Sequence, residues 1–162
     1  MKNYLISLSL VCSAASLSEV HAAVQFCQTA PLLVGSKNIG SVSYYADQCD
    51  KNWENQNIRL DVTYSQKIPE WAFKRAASHF LNKNIAQLPQ NSVLNQITEL
   101  YRPVKKGDFY SLNYAQNSKT LSLSLNQKLL GSITNPQANQ YFKIWFGGSP
   151  FSAKLKQQLL NQ

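Results

Sequence analysis

The sequence predicts an α+β fold, an open-faced antiparallel β-sheet with a layer of helices packed on one face. Ile58–Tyr64 alternates apolar and polar residues without a fault, which is typical of a half-buried strand. Apolar residues recur at helical spacing after Pro69, and three short strands follow one another within residues 109–133. Strands, two helices, a three-stranded meander and two more helices are the order expected when helices cover one face of an antiparallel sheet.

Two further strands are predicted in the amino-terminal third of the chain. Residues 40–47 alternate Val42, Tyr44 and Ala46 with polar neighbours, and residues 32–34 form a short apolar run before them. We therefore expect one strand over residues 40–47 and another near residues 32–34.

Two helices are predicted between the strand at residues 58–64 and the meander. Pro69 opens the first at a favoured first-turn position, and its apolar residues follow at helical spacing, namely Ala72, Phe73, Ala76, Ala77, Phe80 and Leu81. The second begins near Ser92 and is stopped by Pro103. Its apolar side carries Val93, Leu94, Ile97, Leu100 and Tyr101.

The meander begins after a turn at Gly107 and Asp108. Its strands are expected over residues 109–114, 119–125 and 128–133. Asn126 and Gln127 join the second strand to the third in a tight turn, because Asn tolerates the left-handed conformation that such turns need.

The carboxy-terminal segment is predicted to form two helices joined by a corner. Asn135 and Pro136 start the first helix, which buries Phe142, Trp145 and Phe146. Gly147 ends it as a C-cap, and Pro150 prevents it from resuming. Ser152 caps the last helix, whose apolar stripe is Leu155, Leu159 and Leu160. We expect Trp145 to fill space at the corner, and a ligand-stacking platform is its functional alternative.

The first 22 residues have the three-part organisation of a secretory signal peptide. Lys2 supplies positive charge, residues 4–11 are almost entirely apolar, and small residues lead to Ala22. The apolar run is shorter than the roughly 20 residues that span a bilayer. We expect cleavage after Ala22 and a single domain over residues 23–162, periplasmic or secreted, without an integral membrane segment. A buried amino-terminal helix is the alternative.

Two cysteines remain after this cleavage, Cys27 and Cys49. In an exported chain an isolated pair indicates a disulfide. It would close a loop of about 23 residues and stabilise the fold by on the order of 3 kcal/mol. Two unpaired buried thiols are the alternative. A metal site is not expected, because no histidine or third cysteine is near.

The net charge of +8 comes from 16 basic and 8 acidic residues. A basic chain raises the hypothesis of nucleic-acid binding. The lysines are scattered along the sequence, however, and export removes the usual nucleic-acid partner. A solvated surface is the favoured interpretation, and weak attraction to anionic lipid or envelope phosphate is the alternative.

Motifs for catalysis or cofactor binding are absent from the sequence. His79 is the one histidine after residue 22, and it lies on a predicted helix. The acidic residues form no pair for acid–base work, and there is no Gly-x-Ser-x-Gly elbow. No phosphate loop or dinucleotide fingerprint occurs. We therefore expect no cofactor.

A package of motifs lies in the carboxy-terminal two thirds of the chain. It comprises a turn, the end of an alternating strand, a return strand and the final corner, at Gly107, Asp108, Asn126, Gly131, Trp145, Gly147, Pro150 and Leu155. With "IRLDVTYSQKIPEWAFKRA", residues 58–76, these motifs make residues 55–162 resemble the bacterial branch of the chalcone isomerase-like family. "SVSYYADQC", residues 41–49, is similar to a family strand rich in Val and Tyr.

The resemblance implies an open-faced antiparallel sheet backed by helices. Plant members of the family close a flavanone ring, and others bind fatty acids without known chemistry. The enzyme's cleft uses an arginine from a Gly-x-Gly-x-Arg segment before the Val/Tyr strand. The matching stretch here, residues 34–41, contains no arginine. Lys37 lies there instead, and a lysine does not reproduce the bidentate arginine fork.

The favoured hypothesis is a non-catalytic exported domain that holds a small apolar or amphipathic ligand, such as a fatty acid, between sheet and helices. Tyr44, Tyr45, Tyr110 and Tyr114 are expected to line the cleft or orient the ligand. One alternative is an isomerase in which Lys37 and a tyrosine stabilise a developing phenolate or enolate. Another is a structural or partner-binding envelope protein without a pocket.

Overall fold

A single antiparallel sheet organises the computed structural model, which describes residues 24–162. Its six strands lie side by side in chain order among these residues. They are β1 (Gln25–Val34), β2 (Lys37–Ala46), β3 (Ile58–Tyr64), β4 (Phe109–Ala115), β5 (Thr120–Leu125) and β6 (Lys128–Thr134). The predicted signal peptide lies outside the described residues.

The helices of the described part of the chain cover one face of this sheet. They are α1 (Glu70–Asn84), α2 (Val93–Thr98), α3 (Lys143–Phe146) and α4 (Ala153–Leu160). Short 3₁₀ helices at Trp53–Asn55 and Ala138–Phe142 precede β3 and α3. The predicted fold class, an open antiparallel sheet with helices on one face, is confirmed.

The alternation of residues along the strands decides which face the helices cover. One cross-strand row runs through β2, β3, β4 and β5 and is almost completely buried, at Tyr44, Leu60, Leu112 and Leu123. The neighbouring row is polar and points to the opposite face, at Ser43, Asp61, Ser111 and Ser124. Because side chains alternate between faces with a period of two, the same register repeats this division along the sheet.

Several element boundaries differ from the sequence-based expectation, and β2 begins at Lys37 rather than at residue 40. β1 begins at Gln25 rather than near residue 32, since its polar residues hide a strand that pairs along the whole of β2. α2 ends at Thr98, because the amides of Leu100 and Tyr101 bond to carbonyls three residues back in a tighter turn. The predicted helix after Pro136 begins as a 3₁₀ helix and becomes α-helical at Lys143.

A disulfide joins the edge strand to the rest of the sheet. Cys27 lies in β1 and Cys49 follows β2, and their Cα atoms are 5.4 Å apart. This is the predicted pair. The bond fastens β1, which α4 also covers, and in the chain-entropy model a loop of this size contributes roughly 3 kcal/mol.

The corner between α3 and α4 depends on close packing against the end of α1. The Asn84 side chain accepts a hydrogen bond from the Ser149 amide and donates one to the Ser149 carbonyl, both at 2.8 Å. Gly147 is the C-cap of α3, as predicted, but its φ of −69° is not left-handed. Its lack of a side chain is needed for space, because a Cβ atom there would overlap the Asn84 carboxamide.

Gly147→Ala should therefore destabilise the fold, whereas Gly148→Ala should not. The first change inserts a methyl group against Asn84 and the Lys143 carbonyl, and overpacking of this kind costs about 1–3 kcal/mol. A Cβ atom on Gly148 meets no atom within 4 Å, so its cost should stay within about 0.5 kcal/mol. Chemical denaturation of both variants measures the difference, and equal stabilities would contradict this account of the corner.

Candidate functional site

An apolar pocket of about 280 Å³ lies between the sheet and the helices. Its floor comes from β1, β2 and β3, its roof from α1, and its end wall from α3 and the corner that follows. The lining residues are Leu32, Val34, Ile39, Val62, Tyr64, Ile68, Ala72, Phe73, Ala76, Ala77, Tyr101, Ile144, Trp145 and Phe151. The volume is just below the roughly 300–1,000 Å³ of common small-molecule sites.

Small residues on α1 create the space. Ala72, Ala76 and Ala77 recur at helical spacing and face the sheet. Larger side chains at these positions would fill the gap between helix and sheet, as Leu81 does further along α1, where it is completely buried. The roof of the pocket therefore follows directly from three alanines on the inner face of one helix.

An aromatic cluster forms one wall. Phe73 stacks on Tyr101 with ring centroids 5.3 Å apart, and it meets the edges of Tyr64 and Tyr110 at 5.4 Å. The Tyr110 hydroxyl accepts a hydrogen bond from the Arg102 amide and donates one to the Arg102 carbonyl, both at 2.7 Å. These bonds hold the segment after α2 against the sheet and so position Tyr101 at the pocket.

The pocket has no charged side chain among its described lining residues. Its side-chain heteroatoms are the hydroxyls of Tyr64 and Tyr101 and the indole nitrogen of Trp145. Burial raises the pKa of both tyrosines well above the ordinary value, because a charged phenolate is poorly solvated inside the protein. At neutral pH these groups are uncharged and can exchange hydrogen bonds. The site as a whole suits an apolar molecule.

The structure separates the predicted site residues from one another. Tyr44 and Tyr114 belong to the core, 0% and 1% exposed. Tyr45 lies on the uncovered face of the sheet, where the Arg59 guanidinium stands 4.0 Å over its ring. Tyr110 contacts the pocket wall. Lys37 begins β2, exposed and paired with Val34, which lines the pocket. None of the five is among the pocket-lining residues described above.

Tyr44 and Tyr114 have an unusual polar environment. Neither buried hydroxyl has a hydrogen-bond partner among the protein atoms of residues 24–162. Burial raises the pKa of Tyr44 to about 12, and it raises the pKa of Tyr114 as well. The ring of Tyr44 packs edge-on against Phe146 at 5.2 Å, so the side chain contributes mainly apolar contact.

The residues that sequence reasoning missed are Tyr64, Tyr101 and the alanines of α1. All were predicted to lie on apolar faces. The pattern of apolar residues in one element does not show where a gap remains between that element and its neighbours. The spacing of three alanines on a helix otherwise rich in aromatics was the one local signal of a gap. Trp145 packs against Tyr141 and Phe142, as expected for a residue that fills space at the corner, and it also lines the pocket.

The remaining motif residues organise loops and packing. Asp108 accepts hydrogen bonds from the Lys105 amide and the Asn126 carboxamide, which hold the pKa of its carboxyl below the ordinary value. Gly107 has a φ of +91°, which glycine adopts without strain. A Cβ atom on Gly131 would press against Leu100. Pro150 lies in the corner after α3, and Leu155 lies on the buried face of α4.

A second, polar groove of about 530 Å³ lies at the opposite end of the sheet. It is lined by Cys49, Asp50, Lys51, Asn52, Trp53, Glu54, Lys143, Phe146, Gly147, Gly148, Lys156, Leu160 and Gln162. The Lys156 ammonium donates a hydrogen bond to the Gly147 carbonyl at 3.0 Å. Its lining of mixed charges suits water better than an apolar ligand, so the smaller apolar pocket is the better candidate site.

Residues 24–162 contain no cluster of three or more histidine, cysteine, aspartate or glutamate side chains suited to a metal ion. Among the helices of that part of the chain, none is both long and apolar enough to cross a bilayer.

Fold and pocket together define a domain of the chalcone isomerase type. A model of the family described as "Chalcone isomerase-like" matches residues 44–161. The chain belongs to the chalcone isomerase-like family. The match does not identify a branch, so the bacterial branch stays a prediction.

A solved structure supports the same fold. The crystal structure of an Arabidopsis thaliana fatty-acid binding protein superimposes with a TM-score of 0.67 at 15% identity, over 88% of this chain and 89% of that one. At this identity the likeness establishes the architecture. No curated protein matches the chain in sequence.

Two tyrosine substitutions should have different effects on stability. Tyr110→Phe removes the partner of two Arg102 backbone groups and should lower the free energy of unfolding by about 1–3 kcal/mol. Tyr44→Phe removes a hydroxyl without a protein partner, so stability should be unchanged or higher by up to about 1 kcal/mol. Urea denaturation of both variants compares them. A loss for Tyr44→Phe as large as that for Tyr110→Phe would contradict the contrast.

Proposed function

We propose that this protein is a non-catalytic binding protein for a small apolar or amphipathic, fatty-acid-like molecule. The observation that carries the proposal is the pocket between sheet and helices, whose described lining has no charged side chain. Burial of apolar surface is the main source of affinity in such a site. The fold shared with a fatty-acid binding protein supports the proposal.

The pocket lining limits how an amphipathic ligand can lie. A carboxylate placed among Leu32, Val62 and Ala76 would lose its hydration without gaining a partner, which costs several kcal/mol. The apolar tail therefore enters, and the charged group stays at the mouth. Val34 marks the mouth, because it lines the pocket and is still 53% exposed. Exposed cationic side chains lie next to it, with Lys37 paired to Val34 across the hairpin.

The protonation state of the pocket tyrosines argues against a general base in the pocket. The raised pKa values of Tyr64 and Tyr101 leave both phenols protonated at neutral pH, so neither is a general base there. Lys37, the residue that would replace the family arginine in an isomerase, is exposed at the start of β2. An exposed ammonium is well solvated and stabilises a developing anion less than a buried donor does.

Filling the pocket should weaken ligand binding. Ala76→Phe places a ring in the space between α1 and the sheet, where it displaces about two methylene groups of a bound acyl chain. At about 0.8 kcal/mol per methylene this is roughly a tenfold loss of affinity. Titration with palmitate by calorimetry measures the effect.

Ala153→Phe is the matched control, because Ala153 is an exposed residue at the start of α4 and does not line the pocket. Circular dichroism establishes that both variants fold. Palmitate affinity that is the same in wild type and Ala76→Phe would refute the proposed site, and wild-type protein that binds no apolar ligand would refute the function.

We also propose that the chain is exported and that its first 22 residues are removed. The Cys27–Cys49 disulfide supports an oxidising compartment. Intact-mass measurement of protein recovered from cells that make the full chain should give the mass of residues 23–162 less the two hydrogens lost on oxidation. A mass that retains residues 1–22 would contradict cleavage, and free thiols would contradict export to such a compartment.

A further inference from the structure

The topology brings four connections to one end of the sheet. Gly40 of β2 pairs with Tyr64 of β3, Thr63 of β3 pairs with Phe109 of β4, and Tyr110 of β4 pairs with Leu125 of β5. The β1–β2 hairpin, the β3–α1 connection, the α2–β4 connection and the β5–β6 hairpin therefore lie together. We call this end of the molecule the basic end.

Lysines that are scattered in the sequence lie at this end of the domain. Each of these connections contributes at least one exposed lysine, and the set is Lys37, Lys67, Lys105, Lys106 and Lys128. Lys67 and Lys105 adjoin Ile68 and Val104, which are themselves bridged by backbone hydrogen bonds. Across residues 24–162 the ion pairs involve Arg59 and Lys74 with their acidic partners, so none of the five lysines is paired.

The carboxylates near this end are already occupied. Asp108 accepts hydrogen bonds from the Lys105 amide and the Asn126 side chain. Glu70 and Glu99 share the Lys74 ammonium, at 2.7 Å and 2.9 Å. Asp47, Asp50 and Glu54 lie at the opposite end, in the connection between β2 and β3. Lys51, Lys143 and Lys156 line the polar groove at that end together with Asp50 and Glu54. Opposite charges therefore lie close together there, whereas the five lysines of the basic end have no ion-pair partner among the described residues.

Exposed apolar side chains protrude at the same end. Val34 is 53% exposed, Leu129 is 59% exposed and Trp71 is 64% exposed. They lie at the β1–β2 hairpin, at the β5–β6 hairpin and in the first turn of α1. In the described part of the chain these are three of the four large apolar residues with such exposure, and the fourth, Phe26, lies at the other end. The described part of the chain therefore leaves these three apolar side chains largely in water.

The ligand pocket lies behind these tips. Val34 and Ile39 flank the β1–β2 hairpin, Tyr64 ends β3, and Ile68 precedes α1, and all four line the pocket. On α1, Arg75 and Trp71 lie on the side that continues from Ala72 and Ala76 toward solvent, at helical spacing of 100° per residue. Charge, apolar tips and pocket thus coincide at one end.

We propose that the basic end is a docking surface for an anionic lipid bilayer. While docked, the protein exchanges the ligand of its pocket with the bilayer. Lysines attract anionic headgroups, while tryptophan and aliphatic tips insert at the boundary between headgroups and acyl chains. A soluble polyanion would use the lysines but would leave Val34, Trp71 and Leu129 in water, so the combination favours a bilayer. The transfer step rests on the proposed function; the docking does not.

Vesicle sedimentation tests the docking. Wild-type protein should bind vesicles of phosphatidylglycerol and phosphatidylcholine and should not bind vesicles of phosphatidylcholine alone. The triple variant Lys105→Gln, Lys106→Gln, Lys128→Gln, which leaves Lys37 at the pocket mouth unchanged, should lose on the order of 100-fold in apparent affinity for the anionic vesicles. The control triple variant Lys51→Gln, Lys83→Gln, Lys119→Gln removes the same charge from the opposite end and should lose less than about tenfold.

Trp71→Ser separates a bilayer from a soluble polyanion. It should weaken binding to anionic vesicles about tenfold, because a large apolar side chain no longer inserts, and it should leave binding to heparin unchanged. If the two lysine variants lose the same affinity for anionic vesicles, the net charge of the protein accounts for binding and the proposal is overturned. Vesicle binding that is insensitive to Trp71→Ser, with heparin bound as tightly as vesicles, would overturn it in favour of a polyanion.

The two functional proposals fail separately. Palmitate titration without vesicles reports the pocket alone, and the lysine variants should keep their palmitate affinity within a few fold because their side chains lie outside the lining. If wild-type protein binds palmitate but does not bind anionic vesicles, only the docking proposal is refuted. Vesicle binding without palmitate binding would refute the pocket as a ligand site and leave docking in place.

Discussion

The apolar face of the sheet is the constraint on which the rest of the structure depends. Rows such as Tyr44, Leu60, Leu112 and Leu123 place one continuous apolar surface on one side of the strands. Such a surface must be covered, since its burial is the main favourable term in folding. All helices described here serve this requirement, and the disulfide fastens the outermost strand to the surface they cover. The pocket exists where this cover is incomplete, under the alanines of α1.

Local patterns explain why the elements could be predicted from sequence. The alternation in Ile58–Tyr64 and Thr120–Leu125, the left-handed Asn126 and the Ser152 cap each depend on a few neighbouring residues. β1 could not be delimited in this way, because Gln25, Gln28 and Thr29 give no clear alternation and the strand is specified by its pairing with β2. Element boundaries set by tertiary pairing are therefore less visible than those set by caps and turns.

A ligand site between sheet and helices was predicted, but its lining was not, because a gap between packed elements leaves no local pattern in the sequence. Its walls come from segments as distant in sequence as Leu32 and Phe151, and each side chain belongs to an ordinary apolar face. Tyr44, Tyr45, Tyr110 and Tyr114 were chosen by residue type, yet the pleat sends Tyr44 and Tyr45 to opposite faces of the sheet. The same limit applied to charge, because lysines distant in sequence become neighbours when antiparallel strands align their ends.

Family membership and site chemistry depend on different residues. The family motifs shape the scaffold. Gly147 and Gly131 leave space for the side chains of Asn84 and Leu100, and Asp108 accepts a hydrogen bond from Asn126. None of these requirements involves the pocket floor, so the scaffold persists while the arginine expected from the family is absent from residues 34–41. Without a buried cation the interior cannot hold a charged group, and charge is confined to the rim, where water and lysines solvate it. The proposed ligand, with one apolar and one polar end, would then be oriented by the fold itself, tail inward, without a specific ion pair inside the pocket.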